Sequence, residues 1–154
     1  MKKTKNGWYQ GIYHVVNKNK YMGDTLPVIR SSYEARFFTW LDKNEKVKRW
    51  GSEIIKIPYS FAIDEKIHNY IPDVYAEIED KNGNIKKYLI EIKPKTQCFP
   101  PKQPKNKNQK AHRRYLMEAE MFIKNQNKWA FADKWCKSNG IIFTVITEDD
   151  LFGK

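Results

Sequence analysis

Cysteine is scarce in this 154-residue sequence, and Cys98 and Cys136 are too few and too far apart for a disulfide framework or a cysteine metal cluster. A reduced intracellular protein is the expectation. No apolar run approaches the roughly 20 residues that a membrane-crossing helix needs. The lysine-rich start Met1-Lys2-Lys3-Thr4-Lys5 leads into Asn6-Gly7-Trp8-Tyr9 rather than a signal-peptide core, so the expected setting is a cytoplasm, with no membrane partner. Histidine is also rare: His14, His68 and His112 stand apart, without paired metal spacing, and none is an obvious partner to make Cys98 a nucleophile. Acidic residues are the minority charge, 18 Asp plus Glu against 29 Lys plus Arg, for a formal net charge of +11. That excess favours a highly anionic partner, nucleic acid or an anionic membrane, and charge alone does not choose between the two.

The length suits one domain with a substantial core. Residues 1–30 carry turns at Asn6-Gly7 and Gly23-Asp24 and no sustained period, which reads as an irregular N-terminal arm before a core at 31–154. Ser31 or Ser32 caps a helix over about 33–42, with Glu34 near its positive end and Tyr33, Phe37, Trp40 and Leu41 as its apolar stripe. Ile54-Ile55-Lys56-Ile57-Pro58-Tyr59 reads as the first strand. The run from Tyr70 to Ile78 and the run from Ile85 to Lys93 flank the turn Asp80-Lys81-Asn82-Gly83-Asn84, a hairpin signal.

After Pro94 comes a basic, proline-rich loop, then a helical region from about Gln109. Ala111, Tyr115, Ala119, Phe122, Trp129, Ala132 and Cys136 keep one helical phase through residue 136, although Asn125-Gln126-Asn127 offers a point of division. Ile141 to Ile146 is almost continuously apolar and reads as a late strand, central or well covered. The order is α-β-β-β-α-β, an α/β fold with a mixed central sheet flanked by helices.

The hairpin carries the chemistry. Alternation puts Leu89, Glu91 and Lys93 on one face, beside Asp73 of the opposing strand. Phosphodiester hydrolysis requires an activated water, neutralised phosphate charge and help for the departing oxygen, and a divalent ion held by carboxylates supplies several of these. Asp73 and Glu91 are the candidate ligands, with the Ile92 carbonyl a third oxygen suited to octahedral Mg²⁺. Lys93 is suited to orient or deprotonate the attacking water, or to hold the phosphate as a point charge. Glu34 is the best additional carboxylate, for the same or a second metal, although helix-start electrostatics explains it equally well.

Pro72-Asp73, the hairpin and Glu91-Ile92-Lys93 resemble the PD-(D/E)xK nuclease superfamily, with its restriction-endonuclease-like core. A longer string is more specific: Arg30-Ser31-Ser32-Tyr33-Glu34, Trp50-Gly51-Ser52-Glu53, Ile57-Pro58-Tyr59, Tyr70-Ile71-Pro72-Asp73, Glu91-Ile92-Lys93-Pro94, Asn127-Lys128-Trp129 and Thr147-Glu148. Together these segments resemble the head completion nucleases of T-even-type bacteriophages and, more distantly, the TnsA-type transposon end nucleases. The resemblance implies a Mg²⁺-dependent endodeoxyribonuclease, with Mn²⁺ as a substitute, whose catalytic set is Glu34, Asp73, Glu91 and Lys93. It further implies trimming of packaged phage DNA during head completion, in the host cytoplasm and at the virion head-neck region, with portal or neck proteins as partners.

For DNA itself, Lys95, Lys102, Lys105, Lys107, Lys110, Arg113 and Arg114 form a basic segment beside the candidate site, able to neutralise phosphates without reading bases. Trp8, Tyr9, Tyr13 and Tyr21, interleaved with Lys5, Lys18 and Lys20, are a second possible contact, although packing over a small core is the commoner use of such aromatics. Three classes stay open on these residues: a DNA endonuclease, a non-catalytic DNA-binding or structural virion protein, and an RNA-cleaving or partner-dependent nicking enzyme.

Overall fold

The computed structural model describes residues 2–3 and 9–152; the contact considered for Lys5 and Trp8 lies outside the described residues. Strands β1 (Lys2–Lys3), β2 (Tyr9–Ile12) and β3 (Val28–Ile29) pair antiparallel in a small sheet. Beyond these short strands the described part of the N-terminal segment is largely irregular, and it packs on the core. Val15 is buried, and Asp42, wholly buried in the following helix, accepts from the Tyr13 hydroxyl (2.8 Å) and from the amides of Val16 (2.8 Å) and Asn17 (2.9 Å). Burial pushes the Asp42 carboxyl up, but these donors and Lys20 outweigh it and hold the group below its usual range.

Helix α1 (Ser32–Lys43) begins where the sequence placed it, because the Ser31 hydroxyl accepts from the Glu34 amide at 3.2 Å. Its buried stripe is Phe37, Phe38 and Leu41, while Trp40 stays 44% exposed and stacks on Phe37. The expectation of Trp40 as a core residue is corrected to Phe38, which packs between Tyr13 and Trp50. The docked N-terminal segment supplies that surface, and helical phase alone does not reveal it.

The central sheet holds β4 (Val47–Ser52), β7 (Val74–Glu79), β8 (Ile85–Ile92) and β9 (Ile142–Ile146), in the order β4-β7-β8-β9. The first three are antiparallel and β9 joins β8 in parallel. Between β4 and β7 lies a separate ribbon of β5 (Ile57–Ser60) and β6 (Ile67–Tyr70). The first core strand is thus 47–52 and not 54–59. The chain breaks away at Glu53, whose φ is 54°, and Ile54 folds so tightly over Gly51 that a Cβ there would lie 2.7 Å from its Cδ1.

In the β7–β8 turn, Gly83 takes φ 81° and the Asp80 carboxylate accepts from the amides of Asn82 and Asn84, which closes the anticipated hairpin. Helix α2 (Gln109–Ser138) runs undivided, capped by Asn108, and Asn125 is buried within it. Strand β9 is an edge strand rather than a central one. Its apolar run serves two coverings, Phe143 facing the α2 side and Ile146 the α1 side. A last short helix, α3 (Glu148–Phe152), docks on α1 through Arg36, which donates to the Leu151 carbonyl and lies over the Phe152 ring.

Two cores result. On one face of the sheet, α1 and Val15 cover Val47, Trp50, Val74, Ala76, Ile90 and Ile92. On the other, Ala132 and Cys136 of α2 and the β5–β6 ribbon cover Tyr75 and Leu89. Each large apolar side chain so buried contributes about 1.5–3 kcal/mol. Among the described residues, no helix is long and apolar enough to cross a membrane.

Candidate active site

The expected residues meet where β7 begins and β8 ends. Pro72 is buried and sets the entry to β7, so that the Asp73 carboxylate reaches across the hairpin and accepts from the Ile92 amide at 2.7 Å. Glu91 lies on the α2 side of β8 and is only 7% exposed. Its Oε2 accepts from the Tyr70 hydroxyl (2.7 Å), and its Oε1 lies 3.4 Å from the Lys93 ammonium. Lys93 is fixed in turn by its backbone amide, which donates to the Ile146 carbonyl.

Glu34 joins from α1. Its Oε2 accepts from the Arg30 amide at 2.8 Å, and the Arg30 guanidinium pairs with Glu53. Burial raises the Glu34 carboxyl, the Arg30 amide and charge oppose this, and Glu53 and Glu91 add to the rise. Asp73 is pushed up to about 8, first by burial and then by the charge of Glu91; the Ile92 amide and Lys93 oppose the shift, while Glu34 adds to it. Three carboxylates therefore share one electrostatic neighbourhood with too little positive charge to balance them.

Among the described residues, no three Asp, Glu, His or Cys side chains converge into a ready-made metal cage. The contact displayed by Ile92 is its amide on Asp73. Of the basic segment, Lys95 is bound to Asp149 at 2.8 Å, and its amide donates to Glu148. Lys102, Lys105, Lys107, Lys110, Arg113 and Arg114 are exposed along the loop and the first turns of α2. Lys102, Lys110 and Arg114 line a common hollow of about 390 Å³, and Arg114 also pairs with Glu118 at 3.0 Å.

Residues 44–148, which run from just before β4 into α3, match the family described as TnsA-like endonuclease N terminal. The chain belongs to this endonuclease family. It is also 36% identical, over 144 residues covering 93% of each chain, to the Head completion nuclease of Enterobacteria phage T4. The resemblance read from Pro72-Asp73 and Glu91-Ile92-Lys93 is borne out, as is the restriction-endonuclease-like α/β core. The matched span of this endonuclease contains Asp73, Glu91 and Lys93 and starts after Glu34.

Four residues around the site of this endonuclease escaped the sequence reading. Tyr70 holds Glu91; burial and the Glu91 charge push its hydroxyl far up, so it remains a donor. Lys128 of α2 sits with its ammonium 5.5 Å from the centre of the Tyr70 ring. Burial lowers its pKa, and Glu91 and Asp73 oppose that while Lys93 and Lys124 add to it. Glu53 pairs with Arg30, and Asn125 is buried facing Lys93 across a cleft. The available signal was polarity at positions 125 and 128, on the stretch of α2 between Phe122 and Trp129, where the helical phase calls for apolar residues.

Proposed function

We propose that this endonuclease hydrolyses phosphodiester bonds of DNA with Mg²⁺, Mn²⁺ serving as a substitute, and that it processes packaged phage DNA during head completion. The observation that carries the reading is the joining of half-buried Asp73 and buried Glu91 to Lys93 at one end of the β7–β8 hairpin. The residues fit a hard divalent cation: burial and the charge of Glu91 push Asp73 up to about 8, and the carboxylate oxygens of Asp73 and Glu91 are ligands that such an ion prefers. Mg²⁺ commonly binds through one or two carboxylates and keeps several waters, so a closed cage of three side chains is not required.

Asp73 and Glu91 would hold the ion, with Glu34 and the Ile92 carbonyl completing the set. When bound, a divalent ion supplies charge neutralisation at the phosphate and a more acidic water. The chain's own part is positional. The Ile92 amide fixes Asp73, the Tyr70 hydroxyl fixes Glu91, and Lys93 presents an ammonium to a phosphate oxygen. The exposed cations at 102, 105, 107, 110, 113 and 114 supply sequence-independent contacts to the DNA backbone. The relative's name supports a part in head completion; portal or neck proteins as partners, and a place in the host cytoplasm and then at the head-neck region, belong to the same proposal.

The test is cleavage of branched, overhanging and blunt DNA with Mg²⁺, Mn²⁺ or a chelator. Asp73→Ala and Glu91→Gln should each lose at least about 100-fold in rate while DNA binding persists, exceeding the 10–100-fold cost typical of an outer-sphere partner. Wild-type protein that binds these DNAs and cuts none of them would instead be a structural virion component.

A further inference from the structure

Beside the acids, the loop after β8 and the middle of α2 enclose a cleft of about 630 Å³, within the range of about 300–1,000 Å³ typical of single-ligand sites. Lys93, whose ammonium lies 3.4 Å from Glu91, forms part of its wall, which puts the cleft next to the hairpin end that carries the acids. Its other walls combine two chemistries. Phe99, 59% exposed, offers an aromatic surface to solvent, and Phe122 lies across from it on α2. Gln97 and Asn125 bring carboxamides, each with donors and an acceptor, and Glu118 at the rim is balanced by Arg114.

Asn125 is the informative member. It is 2% exposed and lines the cleft. A carboxamide at a cleft wall offers both donors and an acceptor to a ligand bearing complementary polar edges. Aromatic walls with carboxamides fit a nucleobase, and the adjacent ammonium fits its phosphate.

We propose that this cleft receives one unpaired nucleotide next to the scissile phosphate, Phe99 stacking on the base and Asn125 and Gln97 bonding its edge. The proposal rests on the DNA endonuclease reading and sharpens it: the substrate carries a single-stranded or frayed nucleotide at the cut. A base inside a fully paired duplex is already stacked and hydrogen-bonded, so entry would require flipping it out, at a cost that an overhang does not carry.

The experiment compares single-turnover cleavage by the full-length protein of a blunt duplex and of the same duplex with a short 2-aminopurine-containing overhang. The wild type should cut the overhang substrate faster, with a change in 2-aminopurine fluorescence on binding to the Asp73→Asn protein. Phe99→Ala and Asn125→Ala should each reduce the overhang-to-blunt rate ratio at least about fivefold, the lower end of what losing one stacked base costs. Phe99 is exposed, so its variant keeps the test decisive if the Asn125 variant folds poorly. An unchanged ratio in Phe99→Ala, or equal wild-type rates on both substrates, overturns the pocket. Absence of wild-type cleavage on every DNA overturns instead the endonuclease reading beneath it.

Discussion

Replacing Asp73 by asparagine should stabilise the metal-free protein while abolishing cleavage. The wild-type carboxyl is pushed up to about 8 by burial and by Glu91, against an unfolded value of about 3.9. The folded state therefore holds this proton more tightly than the unfolded chain. Its stability falls as pH rises from about 4 to about 8 and is level above that. At about 1.4 kcal/mol for each pH unit of separation, the ceiling near neutral pH is about 4–5 kcal/mol. Water penetration, an effective dielectric near 20 and the sharing of charge with Glu91 reduce this to roughly 1–3 kcal/mol.

Asparagine keeps an oxygen for the Ile92 amide, so only the charge is removed. For a chain of this size that is a rise in Tm of roughly 3–10 °C. Thermal unfolding in chelator, near neutral pH and again at about pH 5, gives the readout. The advantage of Asp73→Asn should narrow at the lower pH, which lies nearer the unfolded carboxyl's own value, so that taking up the proton on folding costs less. Added Mg²⁺ should raise the wild-type Tm more than that of the variant. A variant no more stable than wild type near neutral pH, or a gap that stays constant on acidification, refutes the reasoning.

Three further outcomes follow from the geometry. Asp42→Ala strands the amides of Val16 and Asn17 and the Tyr13 hydroxyl, and should cost about 3–5 kcal/mol in urea unfolding, with a loss below about 1 kcal/mol counting against the account. Because the folded Asp42 is held low, its contribution is present above the unfolded value near 4 and disappears as pH falls through its folded value. Tyr70→Phe removes the hydroxyl from Glu91 Oε2 and should lower kcat about tenfold with little change in KM for DNA; an unchanged kcat would mean that Glu91 is positioned without it. Substituting Lys102, Lys105 and Lys107 together by alanine should reduce the slope of log affinity against log salt by roughly 2–3, read by DNA binding at several salt concentrations, and an unchanged slope removes that loop from the interface.

Much of the site could be read from local signals. A proline before Asp73, a turn closed by Asp80 and Gly83, and a two-residue period carrying Glu91 and Lys93 all act within one hairpin, so their geometry follows from neighbouring residues. Glu34 was found for the same reason, through the Ser31 cap beside it. The errors lie where pairing is distant. The β-branched run at 54–57 looked like the core strand, yet β4 wins that place with two charged residues in its middle, because Val47 and Trp50 bury against α1 and the N-terminal segment.

The same distinction separates Asp73, Glu91 and Lys93 from the residues that surround them. Tyr70 and Glu91 are 21 positions apart, and their hydrogen bond exists only because the β5–β6 ribbon folds over the sheet. Lys128 and Asn125 reach the site only because α2 remains one helix across it. In a helix read alone, a buried asparagine is a defect in the apolar stripe and suggests a break. In the folded chain it is a buried polar group that lines the same cleft as Lys93. Local pattern thus pointed to the candidate acids and Lys93, whereas the groups that hold them and line the cleft required the tertiary fold. Those groups are also where the choice of DNA end or junction should be encoded, because carboxylates and a lysine recognise any phosphodiester, while a shaped cleft with a stacking face and carboxamides distinguishes an unpaired base from a paired one.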